Sequence, residues 1–230
     1  MDTRSISARS TIVFALACGG VAAADIIVDQ PDLALPGYAS QDFPDFPDYT
    51  CSVFDDFTLT QSYELTALRV YGENSFSGGE AEDIDVRLRI FTDPNLLGSP
   101  LAAVSGTDIN GVLSWDLTGI TLGPGTYWIS AQVERPFNSG GQWYWRASAT
   151  TNGAHAMWHN PGGGFGLGTD PISTESLGSQ YYDMAFTLEG VVPVPGAAAL
   201  LALGGLARGV TTRDRNGRPA RRIACPRARR

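Results

Sequence analysis

The feature that most constrains the fold is a strict two-residue alternation in residues 84–91. There Ile84, Val86, Leu88 and Ile90 fall on one side, and Asp85, Arg87 and Arg89 on the other. Successive side chains of a β-strand point to opposite faces, so this pattern sets one face on a core and the other in water. Similar segments occupy 53–59, 65–71, 111–117, 126–133, 143–149 and 184–188. Turn-forming runs such as Ser77-Gly78-Gly79 and Asn138-Ser139-Gly140-Gly141 separate them. No window longer than ten residues between 25 and 190 carries a 3.6-residue apolar period, which argues against helices. Seven to ten short strands in 166 residues cannot bury their apolar faces in one sheet. The expected fold is all-β, an antiparallel two-sheet β-sandwich, jelly-roll-like first and immunoglobulin-like second.

The ends of the chain have a different composition. Residues 1–24 combine Arg4 and Arg9, the apolar run from Thr11 to Ala17, and Ala22-Ala23-Ala24 before Asp25. That order reads as a signal peptide. Ala15-Leu16-Ala17-Cys18 offers a lipoprotein alternative that lacks the usual apolar residue three positions before the cysteine. Residues 25–190 form the domain and 191–230 a C-terminal sorting or anchor segment. In the latter, Pro193-Val194-Pro195-Gly196 breaks the chain, Ala197 to Ala207 is apolar, and Arg208 opens a basic run. The uncharged stretch from Val191 is 17 residues, at the lower limit for crossing a bilayer. The arginines beyond it would stay cytoplasmic. A domain helix followed by a basic tail is the plainer alternative.

Charge separates these parts further. The chain has no lysine, and nine of its sixteen arginines lie between Arg208 and Arg230. Residues 25–190 hold 22 Asp and Glu against five Arg, a net charge of −17. Such a domain repels phosphate backbones, so no nucleic-acid partner is expected. Cys18, Cys51 and Cys225 fall one to each part, which leaves no disulfide within the domain and makes Cys51 a buried thiol.

The order of Pro-x-Pro motif, apolar stretch and arginine cluster across residues 191–222 resembles the PEP-CTERM sorting signal. The resemblance implies an exported bacterial protein handled by exosortase-type machinery, with Pro193, Val194, Pro195, Gly196 and Arg208 as the sorting residues. The segment would contact the membrane before processing. Val194 stands where that signal usually has glutamate. The domain carries a second likeness in D-I-I-V-D-Q-P-D, D-D-F-T-L, G-T-Y-W-I-S, G-G-Q-W-Y-W, W-H-N-P-G-G-G-F-G and D-M-A-F-T-L. These segments are similar to a β-sandwich module of secreted bacterial proteins, which implies fold and location without any chemistry.

Three groups of residues are candidates for a site. Trp143 and Trp145 share one face of a strand, and Tyr144 and Arg146 the other. Trp128 has the opposite parity to Tyr127, Ile129, Ala131 and Val133, so it faces outward if those four are core. Trp128, Trp143, Tyr144 and Trp158 would then stack sugar rings of an extracellular polysaccharide; the plainer reading makes the tryptophans core. Asp42, Asp45 and Asp48 punctuate a Pro-Phe-rich loop, and with backbone carbonyls such carboxylates suit calcium. No other cofactor is expected. His155 and His159 lie in a Gly- and Pro-rich stretch that is not helical, too far apart as strand neighbours for one zinc ion. The run from Gly162 to Gly166 lacks the Lys-Ser/Thr ending of a phosphate loop and reads as a tight turn beside Trp158. No nucleophile elbow is present, and paired carboxylates of a glycosidase would meet only in three dimensions. The expected function is therefore non-enzymatic, an exported cell-envelope or extracellular-matrix protein. A carbohydrate-binding module is the alternative, and a polysaccharide hydrolase stands third.

Overall fold

The computed structural model describes residues 23–75, 83–92, 98–178, 180–181 and 183–193. The chain divides into two units, Met1–Val192 and Pro193–Arg230. Apart from the exposed Pro193, all described residues belong to the first. The leader up to Ala22 and the sorting residues Val194, Pro195, Gly196 and Arg208 lie outside the described residues.

The described residues form sixteen strands: β1 (Asp25–Gln30), β2 (Gly37–Ala39), β3 (Gln41–Asp42), β4 (Ser52–Leu59), β5 (Tyr63–Asn74), β6 (Asp85–Phe91), β7 (Ala102–Ser105) and β8 (Thr107–Ile109). They continue with β9 (Val112–Asp116), β10 (Thr121–Leu122), β11 (Gly125–Glu134), β12 (Trp143–Ser148), β13 (Met157–His159), β14 (Ile172–Ser173), β15 (Asp183–Met184) and β16 (Phe186–Val191). Between them lie one helical turn, α1 (Phe137–Gly140), and 3-10 turns at Pro47–Tyr49 and Thr174–Leu177. One sheet follows the order β1-β16-β5-β12-β15, with β9 and β10 also on β5, β2 on β12 and β8 on β9. The other follows β14-β13-β4-β11-β6-β7, with β3 added to β11. All pairings are antiparallel except β3 with β11. From β4 onward the chain changes sheet at each step: β4, β5, β6–β7, β8–β10, β11, β12, β13–β14, β15–β16. The protein is an all-β sandwich of two packed antiparallel sheets.

The seven alternating segments all become strands, because their period matches a sheet with one face buried. Val86, Leu88 and Ile90 point into the core, while Ile84, expected beside them, precedes β6 and is 60% exposed. Between the sheets, Phe57 of β4 meets Phe186 of β16 with ring centroids 6.4 Å apart, and Phe186 meets Trp145 at 6.4 Å. Trp143 fits because β5 has Gly72 beneath it: a Cβ there would lie 2.4 Å from the indole. Its Nε1 donates to the Gly111 carbonyl at 3.1 Å, and Trp145 Nε1 to the Ala185 carbonyl at 2.9 Å. Both indoles are thus buried with their one donor satisfied. Cys51 is also buried and donates to the Ala39 carbonyl; burial pushes its thiol up to about 12.

Candidate binding site

The proposed sugar-stacking surface is not assembled. Trp143 is 0% exposed, Trp158 5% and Trp128 6%. Trp128 does face away from the main core, as its parity requires, but a second cluster with Phe54 and Phe91 covers it. Parity fixes which face a side chain occupies and not whether that face is open. Tyr144 is half-buried, its hydroxyl donating to Gln142 Oε1 at 3.0 Å. The three loop aspartates do not converge either. Asp42 accepts from Arg87 at 2.9 Å and from the Thr50 hydroxyl at 3.0 Å. Asp45 accepts from the backbone N–H groups of Phe137 at 2.9 Å and Asn138 at 3.0 Å. Desolvation opposes ionisation of Asp45, but these bonds outweigh it and hold the carboxyl below its usual range. Asp48 contributes its backbone carbonyl, which accepts from Asn160 and Gly164. Among the described residues no three acidic, Cys or His side chains come together to hold a metal ion. His155 Nδ1 lies 3.3 Å from Glu175, and His159 Nε2 lies 3.0 Å from the Thr169 carbonyl, so the histidines serve separate contacts.

The loop carrying those aspartates builds something else. Phe43, Phe46 and Tyr49, with Phe137, Asn138, Gln142 and Phe165, line a surface cavity of about 330 Å³. Phe46, Tyr49, Phe137 and Phe165 are each 36% to 44% exposed, so four large hydrophobic side chains open to solvent at one place. The rings meet in a chain, tilted between Phe43 and Phe137 and edge to face in the other pairs. Phe43 and Phe46 each approach Phe137, at 6.3 and 6.1 Å, and Tyr49 approaches Phe46 at 6.4 Å and Phe165 at 5.2 Å. Phe165 in turn stands against Trp158 at 5.3 Å. Two of the four expected carbohydrate residues lie behind this cavity: Trp158 supports its Phe165 wall and Tyr144 holds its Gln142.

The walls are fixed by backbone bonds rather than by a sheet. Asn160, itself buried, donates from Nδ2 to the carbonyls of Asp48 and Thr50, both at 2.8 Å. Its Oδ1 accepts from Phe165 N–H at 3.2 Å, and Gly164 N–H reaches the Asp48 carbonyl at 2.9 Å. Glycines are required at this contact, since a Cβ on Gly162 or Gly164 would lie 2.5 or 2.7 Å from Asp48 backbone atoms. On the other wall, Asp45 caps α1, whose N-cap Pro136 offers no side-chain acceptor. Replacing Asn160 by alanine takes this donor from the part-buried Thr50 carbonyl and one of two donors from the Asp48 carbonyl, and is expected to cost about 1–2 kcal/mol. A calorimetric melting scan checks this, and an unchanged midpoint would remove the clamp from the account.

The cavity residues carried one unread signal. In Phe43, Phe46 and Tyr49, aromatic residues repeat every third position, with Pro44 and Pro47 interleaved. Three residues per turn is the period of polyproline and 3-10 backbone, so such a run places its rings on one side. Phe137 and Phe165 have no comparable signal. Compared with known proteins, the chain matches no family model and no curated sequence.

Proposed function

We propose that the chain is an exported, non-enzymatic binding protein of the cell envelope or extracellular matrix, with the aromatic cavity as its ligand site. Residues 1–24 deliver it, and residues 191–230 sort it through exosortase-type machinery. The carrying observation is the cavity of about 330 Å³, apolar, open and lined by four exposed aromatic rings. Pockets of this size, mostly apolar with a few polar groups, are the usual form of small-ligand sites. The clamp by Asn160 and the cap by Asp45 keep the walls in place before a ligand arrives, which lowers the ordering cost of binding. The non-enzymatic reading draws support from the buried carboxylates: Asp55, Asp56 and Asp183 each accept from backbone N–H groups away from this cavity.

A carbohydrate-binding module remains a second reading, supported by the Asn138 and Gln142 amides in the cavity wall. Two measurements test the proposal. Mass spectrometry of the native protein should find a chain starting at Asp25 and ending near Pro195; an intact Arg230 in the surface fraction would count against sorting. Ligand-observed NMR with a small-molecule library should give binders whose signals vanish with Phe46→Ala and Phe137→Ala. Binders indifferent to both substitutions would overturn the cavity as the site.

A further inference from the structure

We infer that the cavity is an aromatic cage for an organic cation of the quaternary ammonium class. This rests on the cavity being the ligand site and names what it selects. Three features of the site converge on that chemistry.

The first is ring geometry. A sugar ring needs a broad flat face to lie on. The rings around this cavity stand at 60° between Phe43 and Phe137, 78° between Phe46 and Phe137, 87° between Phe46 and Tyr49, and 79° between Tyr49 and Phe165. They form the walls of a box and not a platform. A compact group such as trimethylammonium can meet several of these walls at once, and its positive charge is attracted to the electron-rich ring faces.

The second is the scarcity of hydrogen-bonding groups. Among the described residues, the polar side-chain groups of the lining are those of Asn138, Gln142 and the Tyr49 hydroxyl, and Gln142 Oε1 already accepts from Tyr144. A saccharide buried here would leave hydroxyls without partners, which is costly. A quaternary ammonium has no N–H to satisfy and loses nothing on that count.

The third is charge. Among the described residues no arginine lines the cavity, and the domain of 25–190 carries a net charge of −17. The Asp45 carboxylate is fixed to the backbone of two wall residues, Phe137 and Asn138. Asp48 lies on the exposed turn between Phe46 and Tyr49. A cation entering between the rings meets a negative surrounding field, whereas an anion is repelled.

The test is isothermal titration of the mature protein with tetramethylammonium, choline, the neutral choline isostere 3,3-dimethylbutan-1-ol, and a neutral oligosaccharide panel. Choline should bind about tenfold more tightly than its isostere, the ratio expected from one or two partly desolvated cation–π contacts. Added salt should weaken choline and leave the isostere unchanged. Phe46→Leu and Phe137→Leu keep the apolar bulk and remove a ring face, so they should cut choline binding about fivefold while sparing the isostere. Both positions lie outside the buried core, at 41% and 43% exposed, and a melting scan of each variant checks that it is folded. Binding to free choline, or instead only to phosphatidylcholine vesicles, supports the cage in either case and identifies a soluble or a lipid source. Equal binding of choline and isostere overturns the cation while leaving the cavity as a ligand site. So does binding of an oligosaccharide with no response to choline. If no compound binds, both readings fall together.

Discussion

Replacing Arg135 by methionine is expected to destabilise the domain by about 3–5 kcal/mol, the range found when one partner of a buried ion pair is removed. Arg135 is 0% exposed. Its guanidinium reaches Asp83 at 2.6 Å, Asp108 at 3.0 Å and Asn74 Oδ1 at 2.5 Å. Without it, two nearly buried carboxylates face each other with no cation between them. Desolvation already raises Asp83 to about 6, against the opposing pull of Arg135. Arg135 also donates to the Gly140 carbonyl at the end of α1, and its own carbonyl accepts from Gln41 Nε2 at 2.8 Å. The loss would therefore reach the Phe137 wall of the cavity as well as the core. For a domain of this size it corresponds to a fall in melting temperature of roughly 6–20 °C. Adding Asp83→Asn and Asp108→Asn should recover part of it, because the cost lies in uncompensated charge. A single variant that melts with the wild type would show that the pairs contribute nothing net.

The second large effect is an unusual pH profile. Asp55, Asp56 and Asp183 are buried together where β4 meets β15. Asp55 has core parity on β4 and crosses between the sheets to accept from Met184 N–H at 2.8 Å. Asp56 accepts from Ala154 N–H at 2.8 Å and Asp183 from Asn152 N–H at 2.6 Å. Desolvation and the neighbouring Asp183 charge push Asp55 well above the ordinary carboxylate range. Desolvation raises Asp56 to about 6 and raises Asp183 as well. A carboxyl whose folded value lies above its unfolded one binds protons more tightly in the folded state. Its contribution is complete below about pH 4 and is lost as pH rises through about 6. Asp56 alone should contribute on the order of 1–2 kcal/mol over that window, the shift being discounted for solvent screening. Asp45, Asp85 and Asp116 have lowered values and act oppositely, destabilising the fold only below about pH 4. Stability should thus peak near pH 4–5 and decline toward pH 8. Asp56→Asn should flatten the decline by about a quarter to a third, since three further raised carboxyls, Asp55, Asp83 and Asp183, remain. Urea midpoints measured from pH 4 to 8 read this directly, and a rise toward neutrality would contradict it.

The alternation in 84–91 and its six companions foretold the long strands to within a few residues. Strands such as β2, β3, β10 and β14 were not legible, since two or three residues cannot display a period. The candidate site was half visible. The loop of Asp42, Asp45 and Asp48 stands out in sequence for its carboxylates, while the aromatic residues interleaved with them, Phe43, Phe46 and Tyr49, line the cavity. Asp45 is drawn away by Phe137 N–H, 92 residues along the chain. Tryptophans suggested an exposed platform, yet large indoles supply the most apolar area and went inside. Phe165 became a wall only because Asn160 ties its loop to Asp48 and Thr50 across more than a hundred residues.

The sequence by itself determined the fold class, the face that each strand residue occupies, and the acidity of the domain. These depend on local period and on composition, which need no knowledge of what lies opposite. Only the tertiary structure decided which aromatic residues stay open, which carboxylates are buried together, and where the loops meet. Those outcomes depend on contacts between distant segments: Trp128 is covered by Phe54 and Phe91, and Asp55 is closed in by Met184. A side chain's exposure is a property of its neighbours in space, and no periodicity along the chain records them.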